Sequence, residues 1–275
     1  MALSRRKRAR LIRGTQYAIL VVVAVVFALT ADWTRIQQAF FRPEVVREMF
    51  PDVITVALLN TVIYTGLGFG FGLALAIPLA LMRLSSVAPY RWISGIYVEF
   101  FRGLPALLVI LAVGNGVPIA FPGAILNKYL ALMVALGIVG SAYMAETLRA
   151  GIQAVPAGQV EAARSLGMSP MRTTIWVVIP QAFKIILPPL TNELILLTKD
   201  SSLALFLGAS ISEYELTQFG RVALNQYQSL TPVLVAGVCY LIITIPLSYL
   251  SRYLEKRGGG KKISSPESTG LDVTP

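Results

Sequence analysis

Residues 152–180 read IQAVPAGQVEAARSLGMSPMRTTIWVVIP, a polar, Ala-rich interruption in a chain that is otherwise mostly lipid-soluble. Pro156 suits a first helical position, where its missing N–H costs nothing, and Gln159 to Leu166 is a short Ala-rich helix charged at Glu161 and Arg164. Gly167 is the left-handed residue that stops it. Ser169-Pro170 reads as an N-cap followed by a first-turn proline, so a second helix leaves at once and runs through Ile175 to Ile179. The expectation is a small helix, a glycine turn and a re-entering helix: an exposed ledge between membrane spans, which is a surface for another protein.

Composition sets the surroundings of that ledge. The 275 residues are 55% hydrophobic and only 14% charged, with a mean hydropathy of +0.68, which marks an integral membrane protein rather than a soluble domain. The net charge of +10 does not point to nucleic acid, because the basic residues crowd into the tails and short loops instead of forming a face with stacking aromatics. With no histidine and one cysteine, Cys239, there is almost no material for metal ligation, a disulfide framework or Cys/His catalysis. Cys239 sits in an apolar run and reads as a small buried hydrophobe.

Six apolar segments are long enough to span a bilayer. The first, Gly14–Ala31, follows a basic start (Arg5, Arg6, Lys7, Arg8, Arg10, Arg13) without a clear cleavage site, and is read as a retained helix with its N-terminus in the cytoplasm. Residues 32–52 form an external linker anchored by Trp33, Phe40, Phe41 and Phe50. Val53–Met82 is uncharged and carries a stripe of Asn60, Thr61, Thr65, Gly66, Gly68, Gly70 and Gly72, which is either a close packing seam or a pore lining. Trp92–Val113 is the third span and contains Glu99 and Arg102. An outward loop, Gly114–Lys128, precedes the fourth span, Tyr129–Ala150, which ends in Glu146 and Arg149.

Each of those charge pairs is three residues apart and shares a helix face. A charge at the bilayer centre costs about 2.5–3.5 kcal/mol on insertion scales, so Glu146 and Arg149 belong near the inner interface or toward the bundle interior, paired with each other or contacting substrate. The fifth span, Gln181–Gly208, is the most polar, with Pro188, Pro189, Asn192, Glu193, Lys199, Asp200, Ser201 and Ser202. Lys199 and Asp200 offer one charge of each sign; both face one ligand only if the helix unwinds there, and mutual neutralisation is the alternative. An external loop, Glu213–Ser229, leads to the last span, Leu230–Leu250, broken by Pro232 and Pro246. Arg252, Lys256, Arg257, Lys261 and Lys262 place the C-terminus inside, ahead of a polar tail, residues 255–275, expected to be disordered from Ser264 on. With both ends inside, the ledge falls on the cytoplasmic side.

Ile152, Glu161-Ala162-Ala163, Gly167 and Ile179-Pro180 together resemble the EAA loop of permeases of ABC importers. EFFRGLPALL, with Leu104 where the polar amino acid branch commonly has a small hydroxyl residue, AYMAETLRAGI and LPPLTNELILLTKDSSL are similar to that branch. The resemblance covers residues 53–254, a five-helix importer core to which the first helix, within residues 1–31, is an addition. It implies an all-α membrane protein with a cytoplasmic coupling helix in which Gln159, Glu161, Ala162, Ala163, Arg164, Leu166 and Gly167 contact an ABC ATPase dimer. It also implies a second, identical or homologous permease subunit, an extracytoplasmic substrate-binding protein, and a polar amino acid as cargo across the bacterial plasma membrane. Glu99, Arg102, Glu146, Arg149, Asn192, Lys199, Asp200, Ser201 and Ser202 are then candidates for the translocation path or for structural ion pairs. No cofactor is expected in this chain, since ATP and Mg2+ belong to the partner ATPase and no GxxxxGK[ST] loop occurs. An ion-coupled secondary transporter is the alternative, but it needs no such ledge.

Overall fold

The computed structural model describes residues 5–122, 127–208 and 210–257, and the described residues form helices joined by short links, with no strand among them. The expected disordered tail and Lys261 and Lys262 lie outside the described residues. In chain order the helices are α1 (Arg5–Thr30), α2 (Trp33–Phe40), α3 (Pro43–Met49), α4 (Val53–Leu84), α5 (Ala88–Gly103), α6 (Ala106–Ala120), α7 (Lys128–Gln153), α8 (Ala157–Ser165), α9 (Pro170–Leu207), α10 (Leu216–Tyr227) and α11 (Thr231–Arg257). Of these, α1 (over Ile12–Thr30), α4, α7, α9 and α11 are each long and apolar enough to cross a membrane, and the bent pair α5 and α6 counts as a sixth span when taken together.

That sixth span corrects the sequence reading, which has Trp92–Val113 as one helix. The chain bends by 104° between α5 and α6. Pro105 has no N–H for a helical ladder and forces the residue before it out of the helical region; Leu104 is accordingly extended, at φ −92° and ψ 138°. Residues 114–120, expected to be an outward loop, are wound into the end of α6. Likewise the expected external loop 213–229 holds α10, and α11 runs unbroken through Pro232 and Pro246. Pro232 sits in the first turn, where no N–H is needed.

The body is organised on α4 against α7. A Cβ built on Gly68 would stand 2.8 Å from Leu136 Cβ, and one on Gly72 would stand 3.0 Å from the Gly137 carbonyl oxygen. Gly66 and Gly70 meet nothing within 4 Å. Two residues turn a helix by about 200°, so the glycine stripe is split between two faces: Gly68 and Gly72 form a packing seam and the other two look away. Around the seam Tyr64, Leu132, Leu136, Met144 and Leu197 make the buried core. The α1 span contributes nothing to it, being wholly unburied within the chain.

At the end of the bundle away from the ledge, polar residues of α4 tie down the link into α10. Asn60 Nδ2 donates to the carbonyls of Ser212 and Tyr214 at 2.9 and 3.0 Å, and its Oδ1 accepts from Tyr129 Oη at 2.8 Å. Glu215, fully buried, caps α10: it accepts from the backbone N–H of Thr217 and Gln218, each at 2.6 Å, and from Tyr240 Oη at 2.9 Å. Burial nevertheless outweighs these three donors and pushes its carboxyl above the usual range. The linker helices α2 and α3 dock on the same corner. Leu230 N–H donates to Ala39 O at 2.7 Å, and Val45 and Met49 pack with Leu216, Ala236 and the buried Cys239.

Because Gly72 faces backbone rather than a yielding side chain, Gly72→Val is expected to destabilise the bundle by about 1–3 kcal/mol, read as a lower melting temperature of the purified protein. Gly70→Val should leave that temperature unchanged. Equal effects at the two sites would contradict the split of the stripe.

Candidate functional site

Helix α8 ends as its sequence requires. Gly167 takes φ +82°, Met168 N–H donates to Ala163 O at 3.1 Å and Gly167 N–H to Arg164 O at 3.0 Å, the two bonds of a Schellman turn. Arg164 Nη1 locks the exit by donating to Met168 O at 2.7 Å. Ser169 then caps the next helix, accepting from Arg172 N–H at 3.4 Å, with Pro170 in the first turn. The helix begins at Ala157, one residue after the expected first position, with Pro156 as its N-cap.

The ledge has two faces. Val155 and Ala163 are buried and Val160 packs on the core, which pins α8 to the bundle. Gln159, Glu161, Ala162, Arg164, Leu166 and Gly167 are exposed. Leu166, at 84%, and Met171 and Trp176, each at 73%, are among the most exposed large apolar residues of the chain. Ala163 therefore departs from the expected contact set: it looks into the bundle, because it lies on the same helical face as Val160. Met171 and Trp176 extend the outer surface onto α9, and their apolar character alone did not separate them from the rest of that span.

The second cluster lies higher in the bundle. A cavity of about 220 Å³ is lined by Arg102 from α5, Tyr143, Glu146, Thr147 and Ala150 from α7, and Glu193 from α9. Glu146 pairs with Arg149, whose Nε donates to its Oε2 at 3.0 Å, as the three-residue spacing implies. Arg83 of α4 joins them at 3.8 Å, although its place in a basic turn gave no sign of this. It reaches across α5 at Gly95, where a Cβ would stand 2.8 Å from Arg83 Nη1.

Other expected pairs are not formed. Glu99 is exposed and has no ion pair among the described residues; Arg102 turns instead onto the Tyr143 ring, 5.5 Å from its centroid. Lys199 and Asp200 do not face one point, since α9 stays α-helical through Asp200 and only then tightens into a 3-10 turn over Ser201–Leu207. Lys199 is exposed and Asp200 half-buried. Asn192 is exposed as well. Ser201 is buried with its hydroxyl donating to Thr198 O at 2.7 Å, and Ser202 is half-buried. Glu193 is the residue of α9 that reaches the cavity. With one guanidinium and two carboxylates around one small space, the site can hold a group bearing both charges. Among the described residues no cluster of His, Cys, Asp and Glu could hold a metal ion.

The profile described as binding-protein-dependent transport system inner membrane component matches residues 66–258. A probable glutamine ABC transporter permease protein, GlnM, of Bacillus subtilis is 39% identical over 179 residues, 65% of this chain and 81% of that one. The L-cystine transport system permease protein TcyB of the same organism is 34% identical over 234 residues, 85% and 94% of the two chains. Among solved structures, an amino acid ABC transporter crystallised with histidines superposes with a TM-score of 0.69 at 34% identity, covering 77% of this chain and 96% of that chain. An inward-facing MetNI methionine transporter shares the fold, with a TM-score of 0.64 at 20% identity.

The Arg83, Glu146 and Arg149 network gives a direct check. The double-mutant cycle of Arg83→Gln and Glu146→Gln is expected to show a coupling energy of about 0.5–1 kcal/mol in melting of the purified protein, the size of a partly exposed pair. Additive losses would show that Arg83 does not reach Glu146.

Proposed function

The chain belongs to the binding-protein-dependent transport system inner membrane component family, and from that premise we propose that its cargo is a polar amino acid and that the α8 ledge is where the motor takes hold. It is a permease subunit of an ATP-binding-cassette importer. Its family works with an ATPase and a substrate-binding protein. The exposed side chains Gln159, Glu161, Ala162, Arg164 and Leu166 form the ATPase contact, and a second permease subunit completes the path.

The observation that carries this reading is the two-faced ledge: one face locked to the core by Val155, Val160 and Ala163, the other an exposed apolar and charged surface. A force on the outer face is transmitted to the helices on either side, because α8 is joined to α7 by three residues and to α9 by four. Those two helices carry Glu146 and Glu193. Nucleotide-driven closure of the ATPase pair draws two ledges together and opens the path outward, and hydrolysis resets it. ATP and Mg2+ are bound by the partner. The terminal segments and the ledge lie on the cytoplasmic side in this arrangement. Arg102, Glu146 and Glu193 line the path and complement the ammonium and carboxylate of an amino acid. Their contacts must differ between the two states, since a ligand held equally in both shifts nothing.

A Cβ at Gly167 would meet nothing within 4 Å, so substitution there acts through the backbone alone. Gly167→Val imposes a left-handed conformation on a β-branched residue at a cost of about 1–2 kcal/mol or more. It is expected to abolish ATP-driven amino acid uptake and copurification of the ATPase while the permease still inserts; Gly167→Asn, which tolerates positive φ, should retain both. Glu161→Lys should lower the copurification yield. Normal uptake by Gly167→Val would overturn the assignment of the ledge.

A further inference from the structure

We propose that the protein holds one anionic phospholipid of the leaflet opposite the ledge in a groove between the linker helices and α11. This goes beyond the transport reading and uses from it only the orientation: with the ledge cytoplasmic, the leaflet is the outer one. The groove is an apolar recess of about 890 Å³. One wall is made by Phe40, Phe50 and Ile54, the other by Leu234, Val238 and Ile242. From Thr231 to Ile242 the α11 wall descends eleven residues, about 17 Å at 1.5 Å per residue, which is about the length of an acyl chain and roughly half the hydrocarbon core.

The charges stand at the mouth and nowhere deeper. Arg42 and Arg47 line the groove at its α2–α3 end, while Glu44 and Glu48 do not line it. Both arginines are exposed, and neither is in an ion pair among the described residues. Arg42 is held in place there: its backbone N–H donates to Thr231 Oγ1 at 3.1 Å and its Nη1 to Tyr227 O at 3.1 Å, leaving the other guanidinium N–H groups free for a phosphate oxygen. The exposed Phe41 and Phe50 beside them suit the headgroup level. An apolar slot of chain length below two unpaired guanidinium groups matches a diacyl lipid with a negative headgroup, and it does not match a peptide, whose backbone would bury unsatisfied N–H and C=O groups along those walls.

The test is native mass spectrometry of the permease purified in its complex with the ATPase, delipidated and titrated with dioleoyl phosphatidylglycerol or dioleoyl phosphatidylcholine. Phosphatidylglycerol is expected to be retained at one per permease chain and at least tenfold more than phosphatidylcholine. The variant Arg42→Gln/Arg47→Gln should remove that preference, and Val238→Trp, which fills the slot without touching a charge, should reduce retention of both lipids. Unchanged retention in both variants, or equal retention of the two lipids by the wild type, would overturn the proposal. So would an efficient Val23→Cys/Val238→Cys disulfide, which would put α1 in the groove instead. Retention is read without transport, so this result stands apart from any outcome of the uptake assays.

Discussion

The turn at Gly167 is the constraint on which the rest of the structure depends. A helix entering from α7 has to stop, lie along the membrane surface and return, and each reversal exposes carbonyls that hydrocarbon cannot satisfy. Here the positive φ of Gly167 lets two backbone N–H groups fold back on the carbonyls of Ala163 and Arg164. Ser169 then caps the outgoing helix within two residues. The ledge is therefore a rigid bracket rather than a loose loop, and only a rigid bracket passes a push on its outer face to the spans it joins.

Those spans also carry Glu146 and Glu193. Glu146 lies two turns before the end of α7, and Glu193 of α9 lines the same cavity, together with Arg102 and Tyr143. The Gly68, Gly72 and Gly137 seam fixes α7 to α4, and Arg83 at the foot of α4 shares Glu146 with Arg149. In the proposed mechanism, motion of the ledge acts on a carboxylate held by two guanidinium groups, those of Arg83 and Arg149. At the far end Tyr240 of α11 donates to the buried Glu215 that caps α10, and the Leu216 N–H of α10 donates to Thr61 Oγ1 of α4, giving the bundle a fixed corner there.

Much of this was legible in the sequence because it depends on local chemistry. The Pro-Ala-Gly-Ser punctuation of the ledge, the Glu146 and Arg149 pair and the six apolar segments follow from backbone preference, helix spacing and span length. Tertiary choice was not legible. Glu99 and Arg102 share a face, yet Arg102 is drawn to Tyr143 on another helix. Lys199 and Asp200 are adjacent in sequence, and the unbroken helix keeps them apart. Pro105 is a helix breaker, but the apolar run around it has the length of a single span, so hydropathy alone does not show the bend. Glu193 looks like an ordinary polar residue because the residues it meets at the cavity are more than forty positions distant, and Glu215 because it caps a helix that reads as a loop. Ala163 was assigned to the outer face from its motif, whereas its position one turn from Val160 puts it inside.

The central claim is that the α8 ledge is a cytoplasmic handle gripped by the ATPase. It is tested most directly by labelling Leu166→Cys in a Cys239→Ala background with a membrane-impermeant maleimide, in inside-out and right-side-out vesicles, with and without the ATPase. Labelling is expected only in inside-out vesicles, and the bound ATPase should protect the thiol. Labelling from the outer side, or equal labelling with and without the ATPase, would contradict the account.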